Sequence, residues 1–313
     1  MARNTDLNPG KSNVENILHE RKIIIMYKFI FFIGIMSCLL LPSISFANDN
    51  IVEPIPISVS VLPQKFIVNS IAGNLVQIEV IVPLNKDPHD YEPSPTQIVQ
   101  LYRSKMYFEI GMPFEQIFLN KIKKLSKQTK FVSMIESCKP LIIKHHGITI
   151  IDPHIWMSPI ELKIMCKNTL KALTVLLPQQ KEILKNNYEN LIKKIEQTDQ
   201  VLQKKLKPYK DRTFFVFHPA FGYFANAFNL KEDTIEVEGK SPTPREVLEI
   251  IEKANELQIK TVFVEPQFSR TSAQTVANAI HANIEMLNPL AENILTNYIQ
   301  ICDKIIKSFS KQK

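Results

Sequence analysis

The sequence predicts an α/β protein of two lobes with parallel sheets, joined by one long rigid helix. Three observations lead there. Short β-branched and aromatic runs alternate with segments of helical apolar spacing, the pattern of α/β units on parallel sheets. A single stretch between Pro178 and Leu206 keeps a helical 3–4 apolar spacing far longer than any neighbour. Finally, 313 residues at 45% hydrophobic content suffice for two domains and a sizeable core.

The predicted strands are Ile57–Val61, Gln77–Val82, Met106–Ile110, Thr213–Phe217, Thr261–Val264 and Ile284–Leu287. Helix starts are legible at Ser94-Pro95-Thr96-Gln97, Ser158-Pro159-Ile160-Glu161 and Thr243-Pro244-Arg245-Glu246. Each has a hydroxyl N-cap, Pro at the first helical position, and Gln or Glu at the third to reach back to the cap. These boxes place Asp87–Pro93, Asp152–Met157 and Glu238–Pro242 in loops that lead into helices. In the long helix Leu184, Tyr188, Leu191, Ile195, Leu202 and Leu206 share one face, Thr198 interrupts it, and Pro208 ends it. No Gly/Ser linker is present, so the helix is the connector. Residues 48–177 form the first lobe, 178–207 the linking helix and 208–313 the second lobe.

Residues 1–47 stand apart. Lys28 precedes the apolar run Phe29–Leu41, and Ser45-Phe46-Ala47 closes the segment in a small-x-Ala ending, which are the parts of a secretory signal peptide. The run is short of the ~20 residues that a membrane-spanning helix needs. The polar residues 1–25 do not suit a signal peptide, so translation is expected to start at Met26. Cys38 lacks the preceding Leu-x-Gly/Ala of a lipid-attachment site, and a soluble exported product is expected. Only Cys138, Cys166 and Cys302 then remain, without a Cys-x-x-Cys pair, which excludes a disulfide scaffold and a thiolate metal site. The net charge of +7 is dispersed, without the clustered Arg and interleaved aromatics of a nucleic-acid binder.

Of seven histidines, three share a setting. His89 lies in Asp87-Pro-His-Asp-Tyr-Glu-Pro after a predicted strand, and His154 in Asp152-Pro-His-Ile-Trp before a capped helix. His218 follows the Thr213–Phe217 strand directly and precedes Pro219. Single histidines in such places are more often structural. Three together, in loops beyond strand ends where α/β proteins bind ligands, point to a metal. Neutral imidazole ligates Zn²⁺ at ~2.0–2.1 Å, and the prolines limit the order to be imposed on binding. Glu265 and Asn288 also follow strands; either has an oxygen to offer, and Glu265 alternatively orients a ligating histidine. His145-His146 before Gly147 reads as a metal-collecting flap or a plain surface loop.

With these residues laid out, the chain resembles the metal-specific solute-binding proteins of ATP-driven zinc and manganese importers. The likeness covers nearly all of residues 55–305. Its blocks are Lys65–Gly73, Asp87–Pro95, Asp152–Pro159, Phe217–Phe224 and Phe263–Ser269. The resemblance implies two α/β lobes around a metal held by His89, His154 and His218, with Asn288 in the fourth position where the family usually has Asp. A histidine at the third position implies zinc; manganese-type members commonly have Glu there. It also implies a periplasmic, non-enzymatic and monomeric protein that delivers Zn²⁺ to the permease of an ABC importer in the inner membrane. The alternatives are a manganese-binding homologue, a surface adhesin, or a three-histidine zinc hydrolase with Glu265 as its base. A C-terminal disulfide known from zinc-type members would use Cys302, but Thr261 stands where its partner would be. Because ligating imidazoles must be neutral, affinity is expected to fall below pH ~6.5.

Overall fold

The computed structural model describes residues 53–145, 148–236, 243–268 and 270–312, together with residues 19, 21–26 and 28. The apolar run and the cleavage site expected between 29 and 47 lie outside the described residues. Val52–Lys313 form one folded unit.

Strands β1 (Ile55–Val59), β2 (Val76–Val80), β3 (Met106–Glu109) and β4 (Lys130–Ser133) form a parallel sheet in the order β2-β1-β3-β4. Helices α1 (Leu62–Ala72), α2 (Pro95–Arg103) and α3 (Pro113–Leu125) make its crossovers. A small antiparallel hairpin follows, β5 (Ile142–His145) with β6 (Ile148–Ile151). After α4 (Pro159–Leu176) and α5 (Lys181–Leu206) comes a second parallel sheet. It contains β7 (Thr213–Val216), β8 (Lys231–Thr234), β9 (Thr261–Val264) and β10 (Asn283–Met286) in the order β10-β9-β7-β8. Helices α6 (Gly222–Ala227), α7 (Pro244–Glu256) and α8 (Arg270–Ala279) connect its strands, and α9 (Ile294–Phe309) closes the chain. The α/β class, the parallel sheets and the long helix are as the sequence predicts.

The helix boxes hold with one difference. Ser94 and Thr243 make both bonds of the capping box. Ser158 accepts from the N–H of Glu161, but the Glu161 carboxylate turns away to accept from the backbone N–H of Lys139. That residue ties the start of α4 to the segment before the hairpin instead of to its own cap.

The 26 residues of α5 span about 39 Å at ~1.5 Å per residue. Leu184, Leu191, Ile195, Leu202 and Leu206 are buried against α1, α4 and α9. One helix thereby rests on elements from both halves of the chain. Asn187 reinforces this by donating to the carbonyl of Ile71 at 3.0 Å.

Strand β7 shows how the second sheet is covered on both faces. Phe214 and Val216 join the main core with the first sheet and α5, whereas Phe215 and Phe217 join a separate cluster beneath α7 and α8. Such double burial suits a parallel sheet. In both sheets the strand order reverses once, and crevices open beyond the strand ends there. In the second sheet the reversal lies between β7 and β9, next to His218 and Glu265. In the first it lies between β1 and β3, and the chain plugs it with its own carboxylate. Glu115 accepts from the N–H groups of Ile110 and Gly111 and from the Ser60 hydroxyl.

Candidate metal centre

The two Asp-Pro-His motifs fold alike. Asp87 Oδ1 accepts the backbone N–H of His89 at 2.8 Å, and Asp152 Oδ1 accepts that of His154 at the same distance. Each aspartate closes an Asx turn across the intervening proline, so each histidine leaves the turn in a fixed direction. His218 is placed differently, at the reversal point of the second sheet, where its backbone N–H donates to Glu265 Oε2 at 3.3 Å.

These three loops bring the imidazoles together. Ring centroids are 4.7 Å apart for His89 and His218, 5.4 Å for His89 and His154, and 5.5 Å for His154 and His218. One nitrogen from each lies within 4.8 Å of the others. The Nε2 atoms of His89 and His218 are 3.1 Å apart. Two ligands of one tetrahedral zinc, at ~2.0–2.1 Å each, stand about 3.3 Å apart. The pair is already near the spacing that an ion imposes.

The opposite ring edges are fixed. His154 Nδ1 meets Asp152 Oδ1 at 2.8 Å, and His218 Nδ1 meets Glu236 Oε2 at 3.0 Å. A carboxylate on Nδ1 holds the proton there and leaves the Nε2 lone pair free for a metal. Phe268 stacks on His218 at 4.6 Å and 24°, and Trp156 stands edge-on to His154 at 5.5 Å.

Burial, then the neighbouring His154 and His218, push the His89 imidazole down to about 2, so it stays neutral and ready to ligate. Burial holds the Glu265 carboxyl well above the usual carboxylate range. Burial, followed by the nearby Asp152, raises Glu232 to about 8. Asp152 Oδ2, Glu236 Oε1 and Glu265 Oε1 are buried without a hydrogen-bond donor among the described residues. The His154 and His218 imidazoles are thus backed by the Asp152 and Glu236 carboxylates, whose field favours a cation.

Glu265 reaches the His218 backbone rather than an imidazole. The carboxylate that orients that ring is Glu236, which sequence reasoning missed; it follows a charged edge strand and belongs to no motif. Asn288 Oδ1 accepts from the N–H of Leu290 at 3.0 Å and lies 3.5 Å from Gln267 Nε2. His145 ends β5, whereas His146 and Gly147 lie outside the described residues. Cys138, Cys166 and Cys302 are free thiols, so the implied C-terminal disulfide does not form.

The family model of the periplasmic zinc-uptake complex component A, ZnuA, matches residues 57–312. The chain belongs to this family. ZnuA-family members are solute-binding components of ABC transporters and not enzymes, which removes the hydrolase alternative. The family places the chain outside the cytoplasm, with a metal ion and a transporter permease as its partners. Among solved structures, a crystal structure of ZnuA shares 36% identity, covering 82% of this chain and 99% of that one with a TM-score of 0.77. A zinc-bound ZnuA deletion mutant superposes with the same TM-score and identity, covering 82% of this chain and 98% of that one. The ZnuA zinc-uptake protein of Haemophilus influenzae is 23% identical over 314 residues, covering 84% of this chain and 91% of its own. A putative metal-binding protein of Chlamydia muridarum is 26% identical over 260 residues, covering 81% and 91%.

Proposed function

We propose that this chain captures Zn²⁺ in the periplasm with His89, His154 and His218, Asn288 standing at the fourth corner, and hands it to an inner-membrane permease. The observation that carries the reading is the convergence of three imidazole nitrogens within 4.8 Å, two of them with Nδ1 held by carboxylates. Three neutral nitrogens with no carboxylate oxygen among them suit zinc better than manganese. The first lobe (48–177) supplies His89 and His154, the second (208–313) supplies His218 and Asn288, and the helix of 178–207 sets the distance between them.

Calorimetry on chelator-stripped protein tests this. One zinc per chain is expected, with manganese unable to displace it. His89→Ala, His154→Ala and His218→Ala should each lower affinity by more than the roughly 10–100-fold typical of losing an outer-shell partner. Unchanged affinity in any of the three removes that residue from the site. Export through residues 27–47 as a monomer is checked by N-terminal sequencing and sedimentation of the periplasmic product. An N-terminus at Asn48 is the expected result.

A further inference from the structure

The fourth corner is where this chain has its own chemistry. Asn288 touches no histidine directly, but its neighbours on either side lead to His218 and to His154. Gln267, whose amide faces Asn288 Oδ1, precedes Phe268, the ring stacked on His218. Pro289, the next residue, accepts the indole N–H of Trp156 at 2.8 Å, and Trp156 stands against His154.

Which end of the amide is available follows from hydrogen bonding. The N–H of Leu290 has to be met by an oxygen, so Oδ1 turns toward it at 3.0 Å. The Gln267 Nε2 contact at 3.5 Å falls on the same oxygen. Nδ2 is left over, and among the described residues nothing bonds it. An amide NH₂ donates and has no lone pair for a metal. The nearby carboxylates do not fill the place either. Asp152 and Glu236 sit on the Nδ1 edges of the rings, Asp87 on the His89 backbone, and Glu265 on the His218 backbone. Among the described residues the cluster comprises the three histidines alone. A tetrahedral zinc there keeps one open position and both of its positive charges.

Resting on the three-histidine reading above, we infer that this chain carries its metal as a ternary complex, in which a small monodentate anion fills the fourth position and accepts a hydrogen bond from Asn288 Nδ2. Chloride and a small carboxylate share the required chemistry, namely one negative charge, one donor atom for the metal and a lone pair for the amide. Asn288→Asp converts the device. One carboxylate oxygen stays on the Leu290 N–H, the other takes the place of Nδ2, and an internal anion replaces the external one.

The test uses the full mature chain loaded with Co²⁺, whose visible absorption reports coordination. Starting in perchlorate, the protein is titrated with chloride, formate or thiocyanate, and zinc affinity is measured in each medium. A saturable spectral change and tighter zinc binding are expected, and the relative strength of chloride and formate tells the two sources apart. In Asn288→Ala the anion should bind about 2- to 10-fold more weakly, the worth of one hydrogen bond. Asn288→Asp should bind zinc more tightly than the natural chain and show one spectrum in every medium. A Co²⁺ spectrum and a zinc affinity that ignore the anion overturn the inference while leaving the three-histidine site standing. Failure of Co²⁺ and Zn²⁺ to bind, or binding that survives loss of the histidines, overturns the site itself.

Discussion

Asp152 and Glu236 sit on the Nδ1 edges of two imidazoles, opposite the proposed metal position, and each decides which nitrogen its histidine presents. Asp152→Asn and Glu236→Gln should lower zinc affinity about 10–100-fold, the usual cost of an outer-shell partner, with an unchanged circular dichroism spectrum. Gly222 acts through the same carboxylate. A methyl group there would stand 2.8 Å from Asp152 Oδ2, on a buried residue, and 3.3 Å from Glu232 Oε2. Gly222→Ala should therefore weaken zinc binding by displacing Asp152, and calorimetry that shows no change would clear the position of any role. His89 carries a pH dependence. Its imidazole is lowered to about 2 in the metal-free fold, against ~6.5 in an unfolded chain. Between those values the unfolded state binds the extra proton, so stability should fall as pH drops from about 6.5. Thermal melts of metal-free protein between pH 7 and pH 4 should show this slope, and His89→Ala should flatten it. Of these residues the sequence displays the three histidines, because a repeated Asp-Pro-His and a strand-end His-Pro are local patterns. It does not display Glu236, whose role exists only once β8 pairs with β7 and carries the following residues toward His218.

The elements were readable in proportion to how much apolar surface they bury. Every strand with a predicted counterpart contributes side chains to a hydrophobic cluster, and the long helix advertises its buried face. Strands β4 and β8 read Lys-Phe-Val-Ser and Lys-Glu-Asp-Thr and occupy one edge of each sheet. Charged, short edge strands resist pairing with other chains, and the same charges hide them from a search for β-branched runs. The expected Ile57–Val61 run starts at Ile55 and stops at Val59 because Val61 is taken as the N-cap of α1. Leu202 is fully buried, so Leu202→Ala should cost about 2–5 kcal/mol in chemical denaturation. Because α5 packs on helices from both halves, a single cooperative transition should move to lower denaturant. Loss of one half alone would mean that α5 does not couple them.

At the scale of the molecule, the segment carrying His154 is fastened to α9 and to the loop after β10. The Trp156 indole donates to the Pro289 carbonyl at 2.8 Å, the Tyr298 hydroxyl of α9 donates to the Trp156 carbonyl, and Asn297 donates to the Asn288 carbonyl at 2.8 Å. Two adjacent residues of α9 thus hold both the His154 loop and the Asn288 loop, and Trp156 ties those loops to each other. Lys65 and Glu292 add a salt bridge at 3.1 Å, but both are partly exposed, so its contribution is at most about 1 kcal/mol. The buried indole bond is different in kind, since breaking it leaves a carbonyl without its donor at a cost of about 1–3 kcal/mol. Trp156 is also the only tryptophan in the chain, fully buried and 5.5 Å from the His154 ring. Its fluorescence should therefore change as zinc fills the site, with an end point at one metal per chain. Trp156→Phe keeps an aromatic ring against His154 but cannot reach Pro289. It should lower the melting temperature and weaken zinc binding, because the Asn288 loop loses its tie to the His154 loop. A variant that melts lower yet binds zinc with undiminished affinity would make the bond a matter of stability alone and separate the tie between the His154 and Asn288 loops from the site beside it.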